Sequence, residues 1–276
     1  MHDALVWLGL IVLGAVVGAY GTIIGAGGGF VLAPALLFLY PSKDPAVITA
    51  LSLGVVGVNA VSGSVAYARQ KRIDYFAGAL FAASTVPSAL AGAFATRLIP
   101  RDAFEGAFAA LLIGVAVWLV FPRPALVNVE RPPKHYVRRM HTDAQGDTYL
   151  YAFDPYKGAL LGLGIGFVSS LFGVGGGIIF VPAMILLLRI PGHIATATST
   201  FILMFTAGVG VLVHLLAGEY AGMVSEEVSL SAGVLVGAQI GALISIRLAR
   251  KQALVSRLLA VALLLVGARL LVSALL

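Results

Sequence analysis

The chain has 276 residues, of which 60% are apolar and 11% are charged, and its mean hydropathy is +1.01. A soluble domain carries about 25% charged residues, so this composition predicts a membrane protein without room for a soluble catalytic domain. The absence of cysteine excludes disulfides, thiolate chemistry and cysteine-ligated metal sites. The net charge of +6 falls in loops between apolar segments, which is typical of orientation signals beside anionic lipid and not of nucleic-acid binding.

Ten apolar segments follow one another along the chain, and helix is expected for each because open strands cannot pair their backbone groups in lipid. They cover 4–22, 26–40, 46–68, 75–96, 104–121, 157–172, 176–190, 195–217, 228–246 and 253–275. The second and seventh have about 15 residues, which as helix span roughly 22 Å of a roughly 30 Å hydrocarbon core. These two are predicted to be half-helices or arms of re-entrant hairpins. The first segment is expected to be retained, because the start of the chain lacks the positive charge of a cleavable signal peptide.

A polar stretch, 122–156, separates the segments into two groups of five. Prolines keep its opening out of helix: Pro122, Pro124, Pro132 and Pro133. Further on, aromatic and β-branched residues flank a glycine-containing turn at 143–147, a pattern that favours a β-hairpin. A cytoplasmic cap and a plain linker are both open as its role.

An internal repeat relates the two groups. Residues 25–35 (GAGGGFVLAPA) align with 173–183 (GVGGGIIFVPA) at an offset of 148, with six of eleven positions identical. Later matches pair Thr49 with Thr198 and Gly92 with Gly241 at slightly larger offsets. The sequence therefore predicts a first transmembrane repeat at 1–121, a linker at 122–156 and a second repeat at 157–276.

Five segments per repeat is an odd number, so the second repeat is predicted to be inverted, and the distribution of basic residues gives the orientation. If loop 69–72 faces the cytoplasm and every segment reverses direction, 14 Lys and Arg residues lie inside and four outside, as the positive-inside rule requires. The outside set is Lys43, Arg97, Arg101 and Arg269. The inside set is Arg69, Lys71, Arg72, Arg123, Arg131, Lys134, Arg138, Arg139, Lys157, Arg189, Arg247, Arg250, Lys251 and Arg257. This arrangement places the linker in the cytoplasm and both termini outside.

The two glycine runs are candidates for an anion site. Each precedes a short apolar segment and can open a half-helix, whose first N–H groups lack internal partners and carry about half a positive charge. Glycine allows an anion to approach bare backbone, so two such ends could bind an anion without a buried Lys or Arg. The alternative is that the glycines only allow close helix packing. The site candidates are Gly25, Gly27, Gly28, Gly29, Gly173, Gly175, Gly176 and Gly177.

Polar side chains within the segments could complete this site. Hydroxyl and amide donors are predicted from Thr49, Asn59, Thr198, Ser199 and Gln239, although both amides could instead bridge helices. No Asp or Glu falls deep within a predicted segment, so a coupling ion cannot be inferred. Catalytic residues, metal ligands and a cofactor are not expected, since no nucleophile, metal cluster or acid–base pair occurs within the segments.

The duplicated Gly-x-Gly-Gly-Gly-x(4)-Pro element, at 25–34 and 173–182, resembles the sulfite exporter TauE/SafE family of membrane permeases. Residues 195–199 (ATATS) and 237–242 (GAQIGA) are similar to that family as well. The resemblance covers nearly the whole chain outside 122–156. It implies a bacterial inner-membrane carrier for sulfite, sulfoacetate or other organosulfonates. One departure is that Thr49 is followed by alanine, whereas Thr198 is followed by Ser199.

The expected protein is thus an all-α polytopic membrane protein of two inverted repeats, and a secondary transporter that exports a small sulfur-containing anion by alternating access. An anion channel, an uptake permease of the same architecture and a membrane-embedded enzyme are the alternatives. Its expected partners are the anionic substrate and the lipid bilayer. A homodimer is left open by the sequence.

Overall fold

The computed structural model describes residues 2–120, 133–248 and 252–275. Within them are ten α-helices: α1 (His2–Ile24), α2 (Gly29–Leu39), α3 (Pro45–Arg69), α4 (Tyr75–Ala95), α5 (Arg101–Val120), α6 (Pro155–Phe172), α7 (Gly177–Leu186), α8 (Gly192–Leu216), α9 (Val224–Leu248) and α10 (Gln252–Leu275). A short 3-10 turn, Thr96–Leu98, follows α4. Outside the described residues lie Pro122, Pro124 and Pro132 of the predicted linker opening and four basic residues of the predicted inside set, Arg123, Arg131, Arg250 and Lys251.

Six described helices are long and apolar enough to cross a membrane, namely α1, α3, α4 with the following 3-10 turn, α5, α8 and α9. The predicted all-α polytopic membrane protein is therefore confirmed. Helices α2 and α7 have 11 and 10 residues. At 1.5 Å per residue neither could span a roughly 30 Å core.

Small residues allow the outer helices to pack closely on one another. Residues 11–19 of α1 run beside residues 233–241 of α9 in the same direction, and a Cβ at Gly237 would overlap the carbonyl of Ala15. Helix α6 packs on α4 in the same way, with Gly162 against Ser84 and Phe81. Glycines spaced by four residues lie on one helix face, so the two helices of each packed pair stay in contact over several turns. Close helix packing is the role that the alternative interpretation of the sequence gives to the two glycine runs, and these outer helices show it at other glycines as well.

A two-stranded antiparallel hairpin, β1 (Val137–Thr142) and β2 (Thr148–Phe153), lies where the sequence predicts one. Its register pairs Val137 with Phe153 and Thr142 with Thr148. The hairpin packs on the connection between α3 and α4, where the Ala144 N–H donates to the Gln70 carbonyl at 3.0 Å. It closes one end of the helix bundle.

Asp74 anchors the hairpin to this connection. Arg139 donates two hydrogen bonds to its carboxylate, at 3.0 and 2.8 Å, and the Tyr151 hydroxyl donates a third at 2.6 Å. The same carboxylate caps α4 by accepting from the Phe76 and Ala77 N–H groups. Burial raises the pKa of Asp74. The hydrogen bonds from Arg139, Tyr151 and Ala77 together lower it by more than burial raises it, so the pKa lies below its ordinary value.

Asp74→Asn should therefore lower thermal stability at neutral pH and lose this effect in acid. A depressed folded-state pKa stabilises the fold above the unfolded value of about 3.9, and the stabilisation is lost as pH falls through the folded value. At neutral pH we expect a loss of about 1–3 kcal/mol from the charged hydrogen bonds. Melting curves from about pH 6 to about pH 3 check this, because the difference from the unsubstituted protein should shrink towards acid. The exposed Asp147→Asn is the control, and a constant difference across this range would refute the role of the Asp74 charge.

Candidate functional site

The two glycine runs form turns of closely similar conformation between a long helix and a short one. Each turn has three glycines at positive φ, which L side chains rarely adopt, so glycine is required there. The second turn repeats the first within 10°: 79°, 75° and 84° at Gly25, Gly27 and Gly28, and 69°, 77° and 82° at Gly173, Gly175 and Gly176.

Both turns meet the middle of the two central helices. A Cβ at Gly27 would lie 2.9 Å from Val56 Cγ1 and 3.2 Å from Leu203 Cδ1, and a Cβ at Gly175 would meet the same two side chains. Val56 is the twelfth of 25 residues in α3, and Leu203 is the twelfth of 25 in α8. The N-termini of α2 and α7 therefore begin about halfway along the central helices.

The turns also contact each other directly. A Cβ at Gly29 would lie 2.6 Å from the Gly173 carbonyl oxygen, and one at Gly177 would overlap Ala26 and the Gly25 carbonyl. Each of these carbonyls is held by a serine from a central helix of the other half. Ser52 on α3 donates to the Gly173 carbonyl at 2.6 Å, and Ser199 on α8 donates to the Gly25 carbonyl at 3.0 Å.

Several donors at the turns make no hydrogen bond to the described part of the chain. They are the N–H groups of Gly28, Gly29, Phe30, Gly176, Gly177 and Ile178. Nearby, the buried hydroxyls of Thr49, Ser169 and Ser170 also lack a partner. Unpaired buried donors are costly, and the N-terminal ends of two helices add about one positive charge in total. Chemically, this arrangement suits a small anion.

Asn59 on α3 holds the first glycine turn through hydrogen bonds. It is fully buried on α3, its Nδ2 donates to the Gly27 carbonyl at 2.9 Å, and its Oδ1 accepts from the Thr22 hydroxyl at 2.8 Å. Both ends of the amide are therefore used within the protein. Asn59 therefore positions the first glycine turn through these contacts.

Thr198 and Gln239 point elsewhere. The Thr198 hydroxyl accepts a hydrogen bond from the Asp74 N–H at 3.0 Å, at the hairpin end of the bundle. The Gln239 amide donates to the carbonyl and the hydroxyl of Ser62, at 2.9 and 2.8 Å, and so joins α9 to α3. Of the alternatives for Gln239, helix bridging is the one found in this structure.

The predicted pairing of Thr49 with Thr198 is wrong. Gly173 packs on Thr49 and Gly25 packs on Thr196, so Thr196 occupies the position equivalent to Thr49. The counterpart of Ser199 in the first half is therefore Ser52, which was not among the predicted site residues. A repeated Thr-Ala-x-Ser, at 49–52 and 196–199 with an offset of 147, is the sequence signal that could have found it.

His214, near the end of α8, is fully buried and hydrogen-bonds Glu219 of the following connection. Glu219 also pairs with Arg97 at 2.7 Å. This cluster ties α4 to the α8–α9 connection at the end opposite the hairpin. Among the described residues no group of three or more His, Cys, Asp or Glu could hold a metal ion.

Comparison with known proteins assigns the class. The chain is 30% identical to the probable membrane transporter protein YunE of Bacillus subtilis, over 95% of this chain and 96% of that protein. Probable membrane transporter proteins of Methanocaldococcus jannaschii and Xylella fastidiosa are 27% and 25% identical, over 75% and 88% of this chain and 72% and 87% of theirs. No solved structure matches the chain significantly. Together with the membrane-length helices, these relatives define a membrane transporter.

The family follows from a further match. The model of the sulfite exporter TauE/SafE family matches residues 10–270, which is nearly the whole chain. The chain belongs to this family, and the resemblance seen in the sequence is confirmed.

Proposed function

We propose that the protein is a secondary transporter that exports a small sulfur-containing anion, such as sulfite or an organosulfonate, by alternating access. The anion binds where the N-termini of α2 and α7 meet. The observation that carries this proposal is the convergence of two free helix N-termini on Val56 and Leu203, halfway along the central helices. Helix N-termini bind sulfur and phosphorus oxyanions through backbone N–H groups.

Inverted repeats with broken helices are a common architecture for such carriers, with the substrate site at their interface. The matched φ angles of the two turns and the reciprocal bonds of Ser52 and Ser199 support an inverted repeat in this chain. In this proposal 1–121 and 157–276 are the repeats. Rocking one against the other separates the turns and opens the site to either side.

For orientation we propose a bacterial inner membrane with the hairpin in the cytoplasm and both termini outside. Arg72 and Arg139 lie at the hairpin end, whereas Arg97 and Arg101 lie at the other end beside Glu219 and Lys43. This agrees with the positive-inside rule. A negative cell interior then favours export, since moving one negative charge outward gains about 2.3 kcal/mol per 100 mV.

Counterflow in proteoliposomes tests the proposal. Vesicles loaded with unlabelled anion should take up the same labelled anion faster than protein-free vesicles, for at least one of sulfite, thiosulfate, sulfoacetate and taurine, with sulfate and acetate as further competitors. Saturable exchange is expected. A large anion conductance without exchange would identify a channel instead, and no flux of any of these anions would refute the proposal.

A further inference from the structure

The backbone of Glu227 lies in the first turn of α9, and its side chain reaches into a cavity of about 490 Å3 between α3, α8 and α9. The cavity lies towards the end of the bundle opposite the hairpin. Its lining is otherwise almost entirely apolar, with Val58, Val61, Met204, Val211, Leu215 and Leu235 among the side chains. The carboxyl group is thus the main polar feature of an apolar space.

The carboxyl group has few partners. Its Oε1 accepts a hydrogen bond from Ser231 at 3.3 Å, and its Oε2 is buried without a partner. Among the described residues no cationic side chain pairs with it, because Arg97 is bound to Glu219. Glu227 is partly buried, and a charged carboxylate with one oxygen buried and no paired cation is costly, so taking up a proton removes that cost.

The described elements around Glu227 bring no cationic side chain to its carboxylate, and α1, which packs along α9, has no titratable side chain from Leu5 to Ala19. Helix α3 presents Gly54 and Gly57, and α8 presents only apolar residues to the cavity. The α8–α9 connection presents the Tyr220 hydroxyl, which donates to the Ala50 carbonyl at 2.7 Å, and the already paired Glu219 lies beyond it. On α9 itself, Glu226 bonds the adjacent Ser225 hydroxyl and is partly exposed.

The side chain of Glu227 touches the segment of α3 that holds both glycine turns. A Cβ at Gly54 would overlap the Glu227 carboxylate, so glycine at this position lets the carboxylate lie directly against α3. Gly54 is two residues, or about 3 Å of helix rise, from Val56, which contacts both turns. Two residues in the other direction, Ser52 holds the Gly173 carbonyl. Glu227 lies near a helix end, as the sequence predicts, but its side chain reaches the tenth residue of α3, which its position in the sequence does not indicate.

We propose that Glu227 is the proton-binding group of the transporter and that a proton crosses together with the anion. This inference rests on the proposed function. The carboxylate takes a proton from hydronium at the open face of the cavity, forming the neutral acid and water, and returns it to water on the other side. An anion at the glycine turns and a charged Glu227 repel each other in a medium of low dielectric, so the anion favours the protonated form.

Coupling makes the direction of transport depend on two gradients. Export then requires an outward anion gradient that exceeds the opposing proton gradient, and the membrane potential assists only through the negative charge that the proton does not cancel. Movement of a proton with the anion also reduces the net charge that crosses the membrane. One pH unit should change the equilibrium anion accumulation by up to about tenfold for one coupled proton.

Two assays with labelled sulfoacetate, whose charge is constant near neutral pH, separate coupling from binding. Counterflow without a pH gradient reports the anion site, and accumulation under an acid-outside gradient reports coupling. We expect Glu227→Gln to keep counterflow and to lose gradient-driven accumulation. Glu226→Gln, a change of the adjacent carboxylate, should behave like the unsubstituted protein, and Glu227→Asp should retain coupling because it keeps a proton-binding group.

A third measurement does not depend on transport. Infrared difference spectra between mildly acidic and mildly alkaline buffer should contain the carbonyl band of a protonated carboxyl group in a dry environment. The band should persist in Glu226→Gln and vanish in Glu227→Gln.

Each contrary result has a defined meaning. Gradient-driven accumulation by Glu227→Gln, or a band that survives in this variant, would overturn the role of Glu227. Exchange without gradient-driven accumulation in the unsubstituted protein would overturn coupling and leave the proposed function standing. Absence of exchange for every anion tested would overturn the proposed function, and the coupling role with it.

Discussion

Replacement of Gly29 or Gly177 by alanine should reduce anion exchange by more than about tenfold, the factor that corresponds to 1.4 kcal/mol. Both residues begin a half-helix at helical φ, so alanine is compatible with their backbone conformation. The added methyl group, however, would overlap backbone atoms of the opposite turn: the carbonyls of Gly173 and Val174 in one case, and Ala26 with the Gly25 carbonyl in the other. Backbone atoms cannot rotate away, and overpacking of this kind costs about 1–3 kcal/mol or more.

The measurements are counterflow and thermal melting of the purified protein. Gly9→Ala on α1 and Gly164→Ala on α6 are matched controls, because a Cβ at either position meets nothing within 4 Å. Both controls should exchange anion normally. Normal exchange by Gly29→Ala and Gly177→Ala as well would show that the contact between the turns is not needed for transport.

Asn59→Asp should cause the second large effect, a loss of about 2–4 kcal/mol in stability together with near-complete loss of transport. The substitution changes almost no volume but replaces the amide donor by an acceptor. At 2.9 Å the new oxygen would face the Gly27 carbonyl, acceptor against acceptor, and would add a charge in a fully buried position. The first glycine turn would lose its support.

Gln239→Glu is the matched control for this substitution. It makes the same amide-to-acid change and also sets an oxygen against a carbonyl, that of Ser62. Gln239 is only partly buried, however, and the Ser62 hydroxyl can turn to donate to the new carboxylate. Its melting temperature should therefore change much less. Equal losses in the two variants would mean that any added charge within the helices is harmful, and that Asn59 has no special relation to the turn.

Much of the fold could be predicted because the membrane restricts the options. The ten apolar segments each correspond to one helix, since lipid allows only structures that pair their own backbone groups. The segments at 26–40 and 176–190 begin too early, at the glycines that form the turns, and the helices start at Gly29 and Gly177. The hairpin turn at 143–147 could be located because a glycine there is flanked by residues that favour strands.

The candidate site was predicted only in part. The glycines could be found because the positive φ angles of the turns require glycine, and the same run of glycines therefore occurs twice in the sequence. The hydroxyl groups at the turns were harder to predict, because serine and threonine are frequent in membrane helices. An alignment of the two repeats that is wrong by two residues, as for Thr49 and Thr198, therefore still pairs two hydroxyl groups. Glu227 shows a different limit, because the depth reached by a long side chain depends on the glycine opposite it on another helix, Gly54.

The reciprocal bonds of Ser52 and Ser199 also constrain how the chain is made. The first glycine turn is completed by α8, and α1 packs along α9, so neither can reach its final contacts until the ribosome has synthesised nearly the whole protein. During that time, the free backbone donors and carbonyls of the first turn would face lipid or the insertion machinery without their partners. We therefore expect that the early helices are inserted first and that the turns close around each other only after α8 and α9 have been synthesised.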